Sequence, residues 1–168
     1  MTHPDPDTVP DPDLIDSRAG FHAAVRAAFD AAATSGCREI WLVDRDFADW
    51  PLGEIEVVDH LRRWAHPHRK LTLLASHFDM LARRHPRWVA FRRTWGHVVE
   101  CRSNTELEPA KMPTLMLAAP LLLLRLADPL RHRGSVSRDP ATLLSARETV
   151  DAVLQRSEHA FPSTILGV

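Results

Sequence analysis

Between residues 83 and 93 the chain reads RRHPRWVAFRR. This places five arginines, Arg83, Arg84, Arg87, Arg92 and Arg93, beside His85, Trp88, Phe91 and, two residues further on, Trp95. Guanidinium groups grip phosphate through paired N–H donors, and aromatic faces stack on bases, so the mixture has the chemistry of an anion-binding or nucleic-acid surface. The aromatic residues recur at helical spacing, however. That spacing sends them to a core and leaves the arginines on the solvent face, some paired with acidic groups elsewhere in the chain. A second group is Asp44, Asp46 and Asp49, which follow the apolar run EIWLVD. Ligands of open α/β sheets bind beyond such strand ends, and three carboxylates there suit Mg²⁺. Arg45 lies between two of them and aspartate is equally a turn residue, so no metal site is assigned. His68 and Lys70 stand in a basic loop after Pro67, and with Asp44 and Asp46 they make up a candidate loop site. The ten histidines are scattered without metal-ligand spacing. The chain has no Gly-x-Ser-x-Gly elbow, phosphate loop or dinucleotide turn, and six glycines would hardly build one. No cofactor is expected.

Charge is unevenly distributed around a net value of −1. Residues 1–60 hold 4 basic and 13 acidic groups, residues 61–102 hold 10 basic and 2 acidic, and the remainder is balanced. Such a basic middle segment attracts phosphate unless the acidic third lies beside it and cancels it. Two cysteines, Cys37 and Cys101, give neither a disulfide framework nor zinc spacing, and read as reduced thiols of a cytoplasmic protein. The longest apolar stretch, residues 114–126, is interrupted by Pro120 and Arg125 and falls short of a membrane span, so no membrane partner is expected.

These residues need a scaffold, and hydrophobic periodicity supplies its outline. Residues 1–15, acidic and Pro-rich, are predicted to be a disordered tail, and residues 16–168 a single α/β domain with a mixed β-sheet flanked by helices. Ser17 caps a helix running to Ser35, with Phe21, Ala24, Val25, Ala28 and Ala32 on one face and Gly36 ending it. Strands are predicted at 39–44 and 71–75, separated by a helix over 54–65 whose Ile55, Val58 and Leu61 face inward. A helical stretch from Phe78 is broken at Pro86 and resumes to Trp95, ahead of a strand at 97–102. Strands at 114–118, 121–126 and 134–137 follow, then a helix opening at Asp139-Pro140 that buries Leu143, Val150, Val153 and Leu154. Early alternation of helix and strand implies parallel crossovers, and the later run of strands implies an antiparallel part.

This order, with IWLVDRDFADWPLG at 40–53, KLTLLASHFDMLARRHPRWVAFRRTW at 70–95 and VLQRSEHAFPSTILGV at 153–168, resembles one half of a phospholipase D-like domain. In wording it is similar to a bacterial branch of solitary halves, a domain family without an assigned function, some members of which are attached to acetyltransferase-like domains or encoded beside them. The resemblance implies His-x-Lys-x-x-x-x-Asp on a late strand, where the histidine attacks phosphorus and the lysine holds phosphate oxygens. Lys111, Pro113 and Ala118 stand at those positions here, so no catalytic residue is carried over. His68-Arg69-Lys70 spells His-x-Lys but precedes an early strand and has Ala75 where the aspartate belongs.

The leading expectation is a non-catalytic phospholipase D-like module that binds a protein partner, of acetyltransferase type, or an anionic ligand such as nucleic acid. One alternative is a phosphodiesterase or nuclease with a non-standard site formed in a homodimer. Another is a homodimeric interaction protein held by the apolar segment Phe161 to Val168. In the last case, deleting that segment should yield monomers by light scattering. A truncated protein that stays dimeric removes it as the interface.

Overall fold

Ser17 starts the first helix as its spacing requires: its Oγ accepts from the Gly20 N–H at 2.9 Å. The helix, α1 (Arg18–Ser35), stops where Gly36 turns left-handed at φ 68°, a conformation open to a residue without Cβ. The computed structural model describes residues 13–161. Residues 1–12 and 162–168, which hold most of the expected tail and of the apolar C-terminal segment, lie outside the described residues. Leu14–Ile15, within the predicted tail, form a short strand, β1. There follow β2 (Glu39–Val43), α2 (Ile55–Trp64), β3 (Lys70–Ala75), α3 (Asp79–Arg84), α4 (Pro86–Thr94) and β4 (Val99–Ser103). The second half contains β5 (Thr114–Ala119), β6 (Leu122–Asp128), β7 (Arg133–Ser137), α5 (Pro140–Leu154) and β8 (Glu158–His159).

One eight-stranded sheet has the order β1-β7-β6-β5-β2-β3-β4-β8. The strands β2, β3 and β4 run parallel, and each crossover between them carries helices to the same face of the sheet. β5, β6 and β7 are antiparallel neighbours, and β5 lies antiparallel to β2. The mixed sheet flanked by helices is therefore the architecture the sequence implies. β2 is buried on both sides, which explains its unbroken apolar run. Ile40 and Leu42 meet α1 to α4, in a core with Phe21, Val25, Leu61, Trp64, Trp88 and Phe91. Trp41 and Val43 meet α5, in a smaller core with Leu115, Leu117, Leu143 and Val150. Ile55, expected inside, is exposed, and Val57 takes the inward place with Val58, Leu61 and Trp64. No helix among the described residues is long and apolar enough to cross a membrane.

The antiparallel half depends on a close approach at Gly134. A Cβ there would lie 1.9 Å from the Arg125 carbonyl oxygen and 2.7 Å from the Leu126 Cα. Both are backbone atoms of β6 and cannot rotate away. Gly134→Ala should therefore destabilise the domain by about 1–3 kcal/mol in urea unfolding, as overpacked sites do. Unchanged stability would show that β6 and β7 sit further apart than described.

Candidate functional site

Asp44 follows β2 directly and joins three strands. Its N–H donates to the Leu74 carbonyl of β3 at 3.1 Å. Its Oδ1 accepts from Thr114 Oγ1 of β5 at 2.6 Å, and its Oδ2 accepts the N–H groups of Phe47 at 2.8 Å and Asp46 at 3.2 Å. The side chain thus closes an Asx turn and holds Phe47 in a left-handed conformation at φ 59°, unusual for an aromatic residue. The loop so fixed turns its carbonyls towards α3 and α4. His85 Nε2 donates to the Phe47 carbonyl at 2.9 Å and Arg87 to that of Gly53 at 3.1 Å, and Arg84 reaches the Ala48 carbonyl at 3.5 Å. Burial first, and the charges of Arg84 and His22 after it, hold the His85 pKa below its ordinary value and outweigh its bond to the Phe47 carbonyl.

A hollow of about 540 Å³ opens at this end of the sheet, lined by Asp44, Arg45, Asp46, Asp49, Arg84, Asp128 and His132. Four carboxylates against two guanidiniums make it a poor place for phosphate. The carboxylates are also occupied. Asp46 accepts the Ala48 N–H at 3.0 Å, and Asp49 takes Arg18 at 3.1 Å and His132 at 2.9 Å. Burial raises the Asp49 pKa, but the bonds from Arg18 and His132 outweigh it and the net shift is downward. Stability from that pairing is present above the ordinary carboxylate range and is lost as pH falls through the lowered value. No group of three or more His, Cys, Asp or Glu among the described residues is placed to hold a metal ion.

Lys111, Pro113 and Ala118 do not face this hollow. Lys111 is exposed and lies 3.9 Å from Glu108. Pro113 faces a groove beside α5 with Leu115 and Thr142, and Ala118 is sealed in the helix-side core. Met112 and Thr114, which do line the hollow, alternate with Lys111 and Pro113 and so take the opposite face, while Ala118 shares the face of Thr114 but lies further along β5, buried in the core. The candidate loop site is also not one site. Parallel pairing sets Lys70 beside Glu39 and Leu74 beside Val43, so Lys70 and His68 lie roughly 16 Å of strand from Asp44 and Asp46.

The arginine cluster divides. Arg83, Arg84, Arg87 and Arg93 are exposed on α3 and α4, whereas Arg92, expected on the solvent face, is only 4 % exposed. Trp88, Phe91 and Arg92 share the inward stripe of α4, so the aromatic residues fill the core as their spacing requires. Contrary to expectation, none of these five arginines forms an ion pair with an acidic group among the described residues. Among the acidic groups of neighbouring elements, Glu54 is used by Arg26 at 3.1 Å, Asp30 by Arg63 at 2.6 Å and Glu100 by Lys70 at 2.7 Å, while Asp79, in the first turn of α3, forms no ion pair among the described residues.

Neither a protein-family model nor a curated protein matches this sequence. Solved structures do. An archaeal chromatin protein, TrmBL2, described as showing a novel mode of DNA binding, superposes with a TM-score of 0.60 at 12% identity. The match covers 92% of this chain and 56% of that protein, so the chain spans little more than half its length. A phospholipase D family member, Nuc from Salmonella typhimurium, superposes with a TM-score of 0.54 at 9% identity, over 82% of this chain and 89% of that one. The fold is phospholipase D-like.

Asp44→Ala removes a charged acceptor from three donors at once and should cost about 2–4 kcal/mol in chemical unfolding. A loss under about 0.5 kcal/mol, the range of neutral surface changes, would contradict the place given to Asp44.

Proposed function

We propose that this chain is a non-catalytic phospholipase D-like module that binds a phosphate-bearing polymer, nucleic acid, across the outer side of α3 and α4. The carrying observation is the set of exposed arginines without a carboxylate partner among the described residues, Arg83, Arg84, Arg87 and Arg93. Surface guanidiniums normally find acidic neighbours when these are plentiful, and this chain has 22 acidic residues. Four without an ion pair on one short helical segment, of which Arg84 alone borders the acidic hollow, are a standing attraction for a polyanion, because each phosphate they meet releases condensed counterions. Arg84 and Arg87 are also held in place by loop carbonyls, which lowers the ordering cost of engaging a phosphate. The DNA-binding description of the archaeal neighbour supports the same class of ligand.

The absence of catalysis is argued from β5. The residues that line the hollow from the start of β5 and the segment before it, Pro109, Ala110, Met112 and Thr114, bring no histidine or lysine, the histidine that does line it, His132, is held by Asp49 at 2.9 Å, and the surrounding carboxylates repel a phosphodiester. The phosphodiesterase alternative draws on His68, Lys70 and His97, which lie at the other end of the sheet from that hollow and line a separate one.

Wild-type protein should bind a generic oligonucleotide at about 50 mM salt, with an affinity that falls steeply as salt rises. Replacing Arg84, Arg87 and Arg93 together by alanine should weaken binding by about tenfold or more and reduce the slope of log K against log salt by about 2–3. Fluorescence anisotropy reads both quantities. Binding that is absent in the wild type, or identical in the triple variant, overturns the proposal.

A further inference from the structure

The buried member of the arginine cluster points elsewhere. Arg92 leaves the inward stripe of α4, and its Nε and Nη1 have no hydrogen-bond partner among the described residues. The Phe161 ring lies 4.6 Å from its guanidinium carbon. A ring face steadies a cation but accepts no N–H in the plane of the fork. Cys101 is the titratable group of β4 that acts on Arg92, and burial pushes its thiol pKa up to about 12, so it supplies no counter-charge at neutral pH. A buried guanidinium with neither anion nor acceptor is among the costlier arrangements a fold can hold.

Arg92 lines a second hollow, of about 740 Å³, together with His68, Lys70, His97, Glu100 and His159. It lies where β3 begins and along the outer edge of β4, at the other end of the sheet from the hollow beside Asp44. Glu100 is its one carboxylate, and it is already claimed by Lys70 at 2.7 Å, Arg102 at 3.0 Å and His159 at 3.4 Å. Arg69 also lines the hollow and spends a donor on the neutral Trp64 carbonyl. Three permanent cations therefore face one engaged anion. Two lining or bordering residues, His68 at φ 73° and Phe161 at φ 46°, hold left-handed backbone conformations, as residues at ligand sites often do.

We propose that this hollow is a binding site for a small phosphomonoester, with the Arg92 fork on the phosphoryl oxygens and Lys70 at the rim. The excess of two positive charges matches a dianion, and a planar fork matches its paired oxygens. The volume is in the range of small-molecule sites and leaves space for an organic group beyond the phosphate. The site is separate from the arginine face of α3 and α4, so either proposal can fail alone.

The test is calorimetric titration of the full chain with inorganic phosphate and with adenosine 5′-monophosphate, at constant ionic strength in chloride. Saturable binding of both is expected, tighter for the ester. Arg92→Met should weaken it by about 30-fold or more, as truncation of a buried charge partner does. The variant should fold, because an apolar side chain replacing a buried unpaired charge is neutral or stabilising. The Arg84, Arg87, Arg93 triple alanine variant should keep wild-type affinity for the ester. Equal affinity in Arg92→Met and wild type, or no binding beyond that of chloride, overturns the proposal. If Arg92→Met does not fold, Lys70→Ala decides: weaker binding upholds the site and unchanged binding rejects it.

Discussion

Where β2 ends, a single carboxylate ties together the two halves of the sheet. On one side β2 pairs parallel with β3, and on the other antiparallel with β5. Asp44 touches both partners, through its N–H to Leu74 and its side chain to Thr114, and it folds the loop that follows. That loop then presents the carbonyls of Phe47 and Gly53 to His85 and Arg87. The placement of α3 and α4, and of the charges they carry, follows from this one joint. A residue that looks from its type like a metal ligand or a general base is spent on architecture.

Charge separates the ends of the sheet. The end where β2 and β5 meet is acidic in balance and its carboxylates are engaged. The end where β3 begins is basic in balance. A phospholipase D-like fold is shared here with proteins only 9–12% identical to this chain. The fold is therefore no guide to chemistry by itself, and function has to come from the charged groups that lack partners.

Most of the scaffold was legible because its signals are local. Ser17, Gly36, Pro86 and Asp139-Pro140 mark helix ends by their own backbone chemistry, and the apolar runs of β2, β3 and β5 mark strands buried on both faces. The two-residue edge strands β1 and β8 were not legible, since pairing with β7 and β4 defines them and two residues carry no period. Ile55 was misplaced because a helix's first turn can be apolar and still face solvent. The site was less legible than the fold. The stripe of Trp88, Phe91 and Arg92 was readable from spacing alone, and it should have sent Arg92 inward. His68 and Lys70 do not group with Asp44 because His68 precedes β3 and Lys70 opens it whereas Asp44 follows β2, which places them at opposite ends of parallel strands. Which arginines lack acidic partners is a property of three-dimensional packing, and no sequence period reports it.

The central claim is that the uncompensated guanidiniums of α3 and α4 are the surface that meets a polyanion. It is tested most directly by following arginine side-chain Nε–Hε resonances by NMR while a short oligonucleotide is added at low salt. The account predicts shifts and slowed solvent exchange at Arg84, Arg87 and Arg93, with the paired Arg26, Arg63 and Arg138 little changed. Shifts confined to Arg45, Arg18 and other residues around the acidic hollow, with the helical arginines silent, would contradict it.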